Sequence, residues 1–226
     1  NNTLMPSERL SVVDSLRGFA LLGIIILHNL EHFNIYNFPE YLPSWLQTLD
    51  KGVWDTIFFI FAGKSYAIFS LLFGFSFFIQ LRNAKQRGDN FKLRFAWRML
   101  LLAMFAQIHA MFYNGDILLL YAFVGLFLIP ASYLKDKTVF WIAVILLLQP
   151  LEWIKFFYAM HSSTYQPLPD LNEQFGIISI NATKNDGFIE LVKTNVKEGQ
   201  LFSFLWQIEN GRFFQATGLF YLGMLL

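Results

Sequence analysis

The stretch "SVVDSLRGFALLGIIILHNLEHF", residues 11–33, decides how the chain is read. Between Arg17 and His28 it has no charged residue, and its apolar run is close to the length of about 20 residues that crosses a bilayer as a helix. Four further stretches meet the same description: roughly 58–81, 95–113, 117–134 and 138–158. A sixth begins near 213, "FFQATGLFYLGMLL", and stops after about 14 residues, so the helix is expected to continue past residue 226. The spacing predicts an all-α, polytopic transmembrane helix bundle with five complete spans and the start of a sixth.

Composition agrees. Of 226 residues, 55% are hydrophobic and only 15% charged, with 27 phenylalanines and a mean hydropathy of +0.44. A soluble domain cannot hide that much apolar surface, whereas a membrane protein turns it toward lipid. The absence of cysteine excludes disulfides, thiolate metal sites and cysteine nucleophiles. The net charge of +1 is uninformative as a total, and no nucleic-acid partner is expected.

The charges are clustered, and they predict orientation. Arg82, Lys85, Arg87, Lys92, Arg94 and Arg98 surround the connection after the second span, and Lys135 and Lys137 lie in the turn before the fifth. The 32–50 loop and the turn "FYNGDI" (112–117) hold no lysine or arginine. Basic loops stay in the cytoplasm. Residues 1–158 are therefore expected to form a five-span bundle with a cytoplasmic N-terminus. Residues 159–211 form an external segment, and 212–226 open the sixth span. In the external segment Phe188, Leu191, Val192 and Val196, followed by Leu201, Phe204, Leu205 and Trp206, recur at helical spacing. That pattern predicts an amphipathic helix lying on the membrane face or lidding the bundle.

Polar side chains inside spans are costly and mark function by default. Asp14 and Arg17 share a face near the inner end of the first span, spaced to pair. His28 lies eleven residues beyond Arg17, about 16 Å further along a helix. Lys64, His109 and Asp116 are expected at the same outer depth, which gives an acid–base cluster or a structural polar lock between helices. His28, Glu31 and His32 also spell H-x-x-E-H, a zinc-peptidase spacing. Here the motif runs off the end of a membrane helix, and no metal site is expected.

Four blocks carry a resemblance: "RLSVVDSLRGFALLGIIILHN" (9–29), "GKSYAIFSLLFGFSF" (63–77), "RMLLLAMFAQIHAMFYNGDILLLYAFVG" (98–125) and "GRFFQATGLFYLGMLL" (211–226). They are similar to the YeiB-like membrane family, formally a domain of unknown function, whose members continue with further helices. The first helix also resembles those of two transmembrane acyltransferase families: the heparan-α-glucosaminide N-acetyltransferases and the bacterial acyltransferase-three group. The shared feature is D-x-x-R-G, here Asp14, Arg17 and Gly18. In the second group a histidine closes that helix, which matches His28, whereas YeiB-like members look to have asparagine there.

The resemblance implies a multi-pass protein of a bacterial plasma membrane that moves an acyl group from cytosolic acyl-CoA, such as acetyl-CoA, to a surface sugar or lipid. Asp14, Arg17, Arg94 and Arg98 would serve the cofactor, and Lys64 the developing oxyanion. His28 or His109, the latter oriented by Asp116, would be the base. A transporter using His28, His109 and Asp116 as a proton or substrate relay is the competing reading. A non-catalytic membrane protein is the third.

Overall fold

The structure, a computed structural model, describes residues 11–34, 41–113, 115–161, 172–185 and 187–226, without the side chains of residues 32–34 and 185. All regular structure among these residues is helical. The chain divides into two compact units, residues 1–73 and 74–226.

The first unit contains α1 (Ser11–Asn34), α2 (Ser44–Phe61) and the opening turns of α3 (Lys64–Arg87). Helices α1 and α2 pack together, with the rings of Phe19 and Phe61 5.7 Å apart. α2 buries no residue at all. The second expected span, 58–81, is not one helix. It straddles a break at Ala62–Gly63, where Gly63 takes a φ of +72° that side chains rarely adopt. Residues 44–50 of the expected 32–50 outer loop are helical too, because α2 begins at Ser44.

The second unit begins within α3 and adds α4 (Phe91–Ala110), α5 (Leu118–Leu126), the short α6 (Leu128–Ala131), α7 (Asp136–Leu147) and α8 (Pro150–His161). Then follow α9 (Glu173–Asn185), α10 (Phe188–Thr194), a π turn (Asn195–Gly199), α11 (Gln200–Glu209) and α12 (Arg212–Met224). α12 packs along α7 and α5, and α4 along α5. Tyr121 and Phe220 meet edge to face at 5.2 Å, and Leu120, Val124, Leu128 and Val139 are buried as well. A second aromatic knot joins Phe77, Phe91 and Phe95, with centroids 4.7–5.6 Å apart. α3 approaches α12 so closely that a Cβ on Gly74 would lie 1.9 Å from the Phe220 carbonyl oxygen. Small residues at such crossings are how helices pack tightly where lipid removes the hydrophobic drive.

Three stretches are long and apolar enough to cross a membrane: Ser11–Glu31, Ser44–Arg87 and Asp136–His161. The five-span expectation is met only to that extent. α4 carries Lys92, Arg94 and Arg98 in its first half, and Leu118–Ala131 is apolar but short. The fifth expected span, 138–158, is interrupted at Gln149, which takes a φ of +50° immediately before Pro150. Large apolar side chains remain exposed in bands, among them Met104, Phe105, Ile108 and Phe112, and Trp153, Ile154, Phe156 and Phe157 on α8. In water such patches would drive association; against lipid they are stable. The stretch expected to form the amphipathic helix is a continuous helical run, 188–209, with a π turn at Asn195–Gly199.

Candidate functional site

α4 ends at Ala110 and α5 begins at Leu118, and the turn between them carries Asp116. The first amide groups of any α-helix have no acceptor within the helix. Asp116 supplies one: its carboxylate accepts the Leu118 N–H at 3.2 Å and the Leu119 N–H at 3.1 Å. The same carboxylate lies 2.9 Å from Nδ1 of His109, on the last turn of α4. Asp116 is 3% exposed, whereas the His109 side chain is 47% exposed.

That asymmetry sets the chemistry. An ionised carboxylate can only accept, so with Asp116 ionised the contact orients a neutral His109 ring with Nδ1–H toward the acid and a lone pair on Nε2. An imidazole oriented from behind by a buried acid is the arrangement of a general base.

The turn is held from a third side. The Asp116 carbonyl oxygen accepts from Ser203 Oγ at 2.8 Å and from Gln207 Nε2 at 2.7 Å, both buried on α11. Gln207 Nε2 also reaches Ser203 Oγ at 2.9 Å, and Asn195 Nδ2 donates to the Met111 carbonyl at 3.3 Å. These residues lie 84 to 91 positions from their partners in sequence. Sequence reasoning did not single them out. The available signal was polar residues on the buried face of an otherwise apolar helix: Asn195, Ser203 and Gln207. The π turn adjusts the register of that face between the two anchors, and π turns recur at functional sites.

The other expected residues have local partners. In the first unit Arg17 Nη1 donates to Asp14 Oδ1 at 2.8 Å across one helical turn. His28 Nδ1 lies 3.4 Å from Glu31 Oε2, also one turn away, with both side chains partly exposed. The Lys64 ammonium folds back onto the Phe59 carbonyl oxygen and lies 4.9 Å over the Phe59 ring. A cation on the last carbonyls of α2 offsets that helix's negative end, so the contact closes the break at Gly63. The His32 side chain falls outside the described residues, and the remaining described residues hold no group of three potential metal ligands.

In the second unit Arg94 Nη2 meets Asp89 Oδ2 at 2.7 Å and Arg87 Nε meets it at 3.1 Å; Arg98 is hydrogen-bonded to Gln80 Oε1. Hydrogen bonds from Arg94, then from Arg87, hold the Asp89 carboxyl below its ordinary value of 3.8. Lys92 Nζ sits 3.0 Å over the Tyr133 ring, so the start of α4 and the end of α6 meet at this basic end. Arg98 and His109 are eleven residues apart on α4, about 16 Å.

No family model matches the chain, and no solved structure matches it. Over 141 residues it is 36% identical to the "Uncharacterized 39.9 kDa protein in amylase 3'region" of Bacillus acidopullulyticus, covering 62% of this chain and 39% of that protein. Over 146 residues it is 32% identical to "Uncharacterized protein YxaH" of Bacillus subtilis (strain 168), covering 59% and 35%. Over 123 residues it is 32% identical to "Uncharacterized protein YeiB" of Escherichia coli (strain K12), covering 53% and 30%. The chain thus spans between 30% and 39% of the length of these curated bacterial relatives. Similarity at this level to proteins named YeiB and YxaH supports a YeiB-like family for this chain.

Proposed function

We propose that the chain is part of a multi-pass bacterial membrane acyltransferase that takes an acyl group from cytosolic acyl-CoA and delivers it to a hydroxyl or amine at the outer face. The observation that carries this reading is the 2.9 Å contact between half-exposed His109 and buried Asp116. In the reaction, Nε2 of His109 takes the acceptor's proton as the acceptor oxygen or nitrogen attacks the thioester carbonyl. The C–S bond breaks, and the departing thiolate takes the proton back from the imidazolium, leaving an ester or amide and free CoA. Asp116 keeps the imidazole in the competent tautomer and stabilises its cation.

The proposed topology is the five-span one, with the Arg82–Arg98 end of the second unit in the cytoplasm and the 111–117 turn outside. The cationic end would receive the polyanionic cofactor, since guanidinium groups bind phosphates in pairs of hydrogen bonds. Arg94 and Arg98 would exchange Asp89 and Gln80 for phosphate oxygens, and the pantetheine arm would cover the roughly 16 Å along α4 to His109. Arg17, His28 and Lys64 in the first unit remain candidate contributors to cofactor, base and oxyanion roles.

Cofactor binding is the direct test. Acetyl-CoA at about a hundred times its dissociation constant stabilises a binder by about 2.7 kcal/mol. A rise in the melting temperature of the purified protein, abolished in Arg94→Ala/Arg98→Ala, is expected. No shift at millimolar acetyl-CoA would contradict the reading, and proton-coupled flux through proteoliposomes would then favour a transporter.

A further inference from the structure

A cleft of about 310 Å³ opens beside the acid–base pair, lined by Leu119, Val196, Lys197, Gln200, Leu201 and Phe204. Leu119 joins the two sites, because its N–H is one of those holding the Asp116 carboxylate. Four of the six lining residues are apolar. Both polar ones carry N–H donors. Lys197 is well exposed, and the Gln200 amide nitrogen is buried with no hydrogen-bond partner among the described residues. A buried donor without an acceptor is costly and rare in folded proteins. A ligand oxygen would supply what is missing. The volume is at the lower end for small-molecule sites, too small for an entire nucleotide cofactor and enough for a headgroup with the first part of one chain.

We propose that this cleft seats one membrane phospholipid with an anionic headgroup. Its acyl chain lies against Leu119, Val196, Leu201 and Phe204. Its phosphate oxygens take the protons of the Gln200 amide and the Lys197 ammonium. Lys197 now meets Glu198 at 3.0 Å. The Lys197 side chain is 77% exposed and Glu198 only 21%, so the ammonium can turn toward a phosphate, whose charge-assisted hydrogen bonds are strong. An acyl chain fits the setting because the residues around the cleft continue into exposed apolar surface at Leu201, Trp206 and Ile208. This assignment does not depend on acyl transfer.

Native mass spectrometry of the purified protein tests it, using phosphatidylglycerol and phosphatidylcholine with identical chains and no acetyl-CoA. Retention of phosphatidylglycerol about tenfold over phosphatidylcholine is expected, from the added charge-assisted contacts. Lys197→Ala and Gln200→Leu should each erase that preference, and Lys193→Ala should keep it. Phe204→Ala should weaken retention of both lipids. Lys197 is exposed, so its variant keeps the test valid even where Gln200→Leu does not fold. Equal retention of the two lipids, or an unchanged preference in Lys197→Ala, would overturn the assignment. So would displacement of the lipid by millimolar inorganic phosphate, which would mark a free-anion site. Acyl-transfer activity, measured separately, is untouched by any of these outcomes.

Discussion

His109 Nδ1 and Asp116 Oδ1 lie 2.9 Å apart, joining the last turn of α4 to the residue whose carboxylate holds the first amides of α5. One carboxylate thus serves two structural amides and one imidazole. Its own carbonyl is held by a helix almost ninety residues downstream. The contact that suits a general base is also a fold contact, and the two roles separate only by substitution.

Asp116→Ala removes the acceptor for the Leu118 and Leu119 amides and should lower stability by about 0.5–2 kcal/mol, the usual cost of a lost N-cap. Asp116→Asn retains an acceptor and should cost less. Gln207→Leu removes one of two donors to the Asp116 carbonyl, worth about 1 kcal/mol. Paired with Ser203→Ala it should show coupling of about 0.5–3 kcal/mol, because the two share one acceptor. Thermal unfolding in detergent gives all of these values. Strict additivity would mean the carbonyl contact is not formed.

Gly74→Ala should sharply reduce accumulation of folded protein. Its Cβ would lie 1.9 Å from a backbone carbonyl that cannot rotate away, and overpacking costs typically about 1–3 kcal/mol or more. Gly18→Ala, whose Cβ meets nothing within 4 Å, should be tolerated. Equal expression of the two variants would contradict the α3–α12 crossing.

Much of this was readable in the sequence, for physical reasons. Apolar runs, basic loops and the 188–206 periodicity gave an all-helical chain with membrane-length stretches. The His109–Asp116 pair was readable because the two residues are only seven apart across one turn. Helix breaks were harder to read. Gly63 and Gln149–Pro150 interrupt apolar runs whose hydropathy does not change at the break. Lys64 is expected near the outer end of a span; the sequence does not encode its contact with the Phe59 carbonyl at the end of α2, which local backbone direction fixes. Ser203 and Gln207 act only through tertiary contact, which periodicity does not encode.

At the basic end, the lowered Asp89 carboxyl makes a signed prediction. Because its folded value is depressed, the Arg94 and Arg87 contacts stabilise the protein above the ordinary value of 3.8 and are lost as pH falls through the folded value. Asp89 is exposed, so the effect is small. The melting temperature of the wild type should fall more steeply than that of Asp89→Asn below that pH. Parallel curves would show that the clasp does not form.

Orientation is open to labelling. Cysteines introduced at exposed Lys85 and Lys184 should react with impermeant thiol reagents from opposite faces of sealed vesicles, which the cysteine-free parent makes straightforward. Reaction from the same face would overturn the five-span topology.

The most direct measurement is transfer of labelled acetyl from acetyl-CoA in membranes containing the protein, with wild type compared with His109→Gln and Asp116→Asn. Removing a general base typically costs about 10²–10⁴-fold. The account predicts a loss of at least about 10²-fold in both variants while each protein still inserts and purifies. Transfer at the wild-type rate in His109→Gln would contradict it.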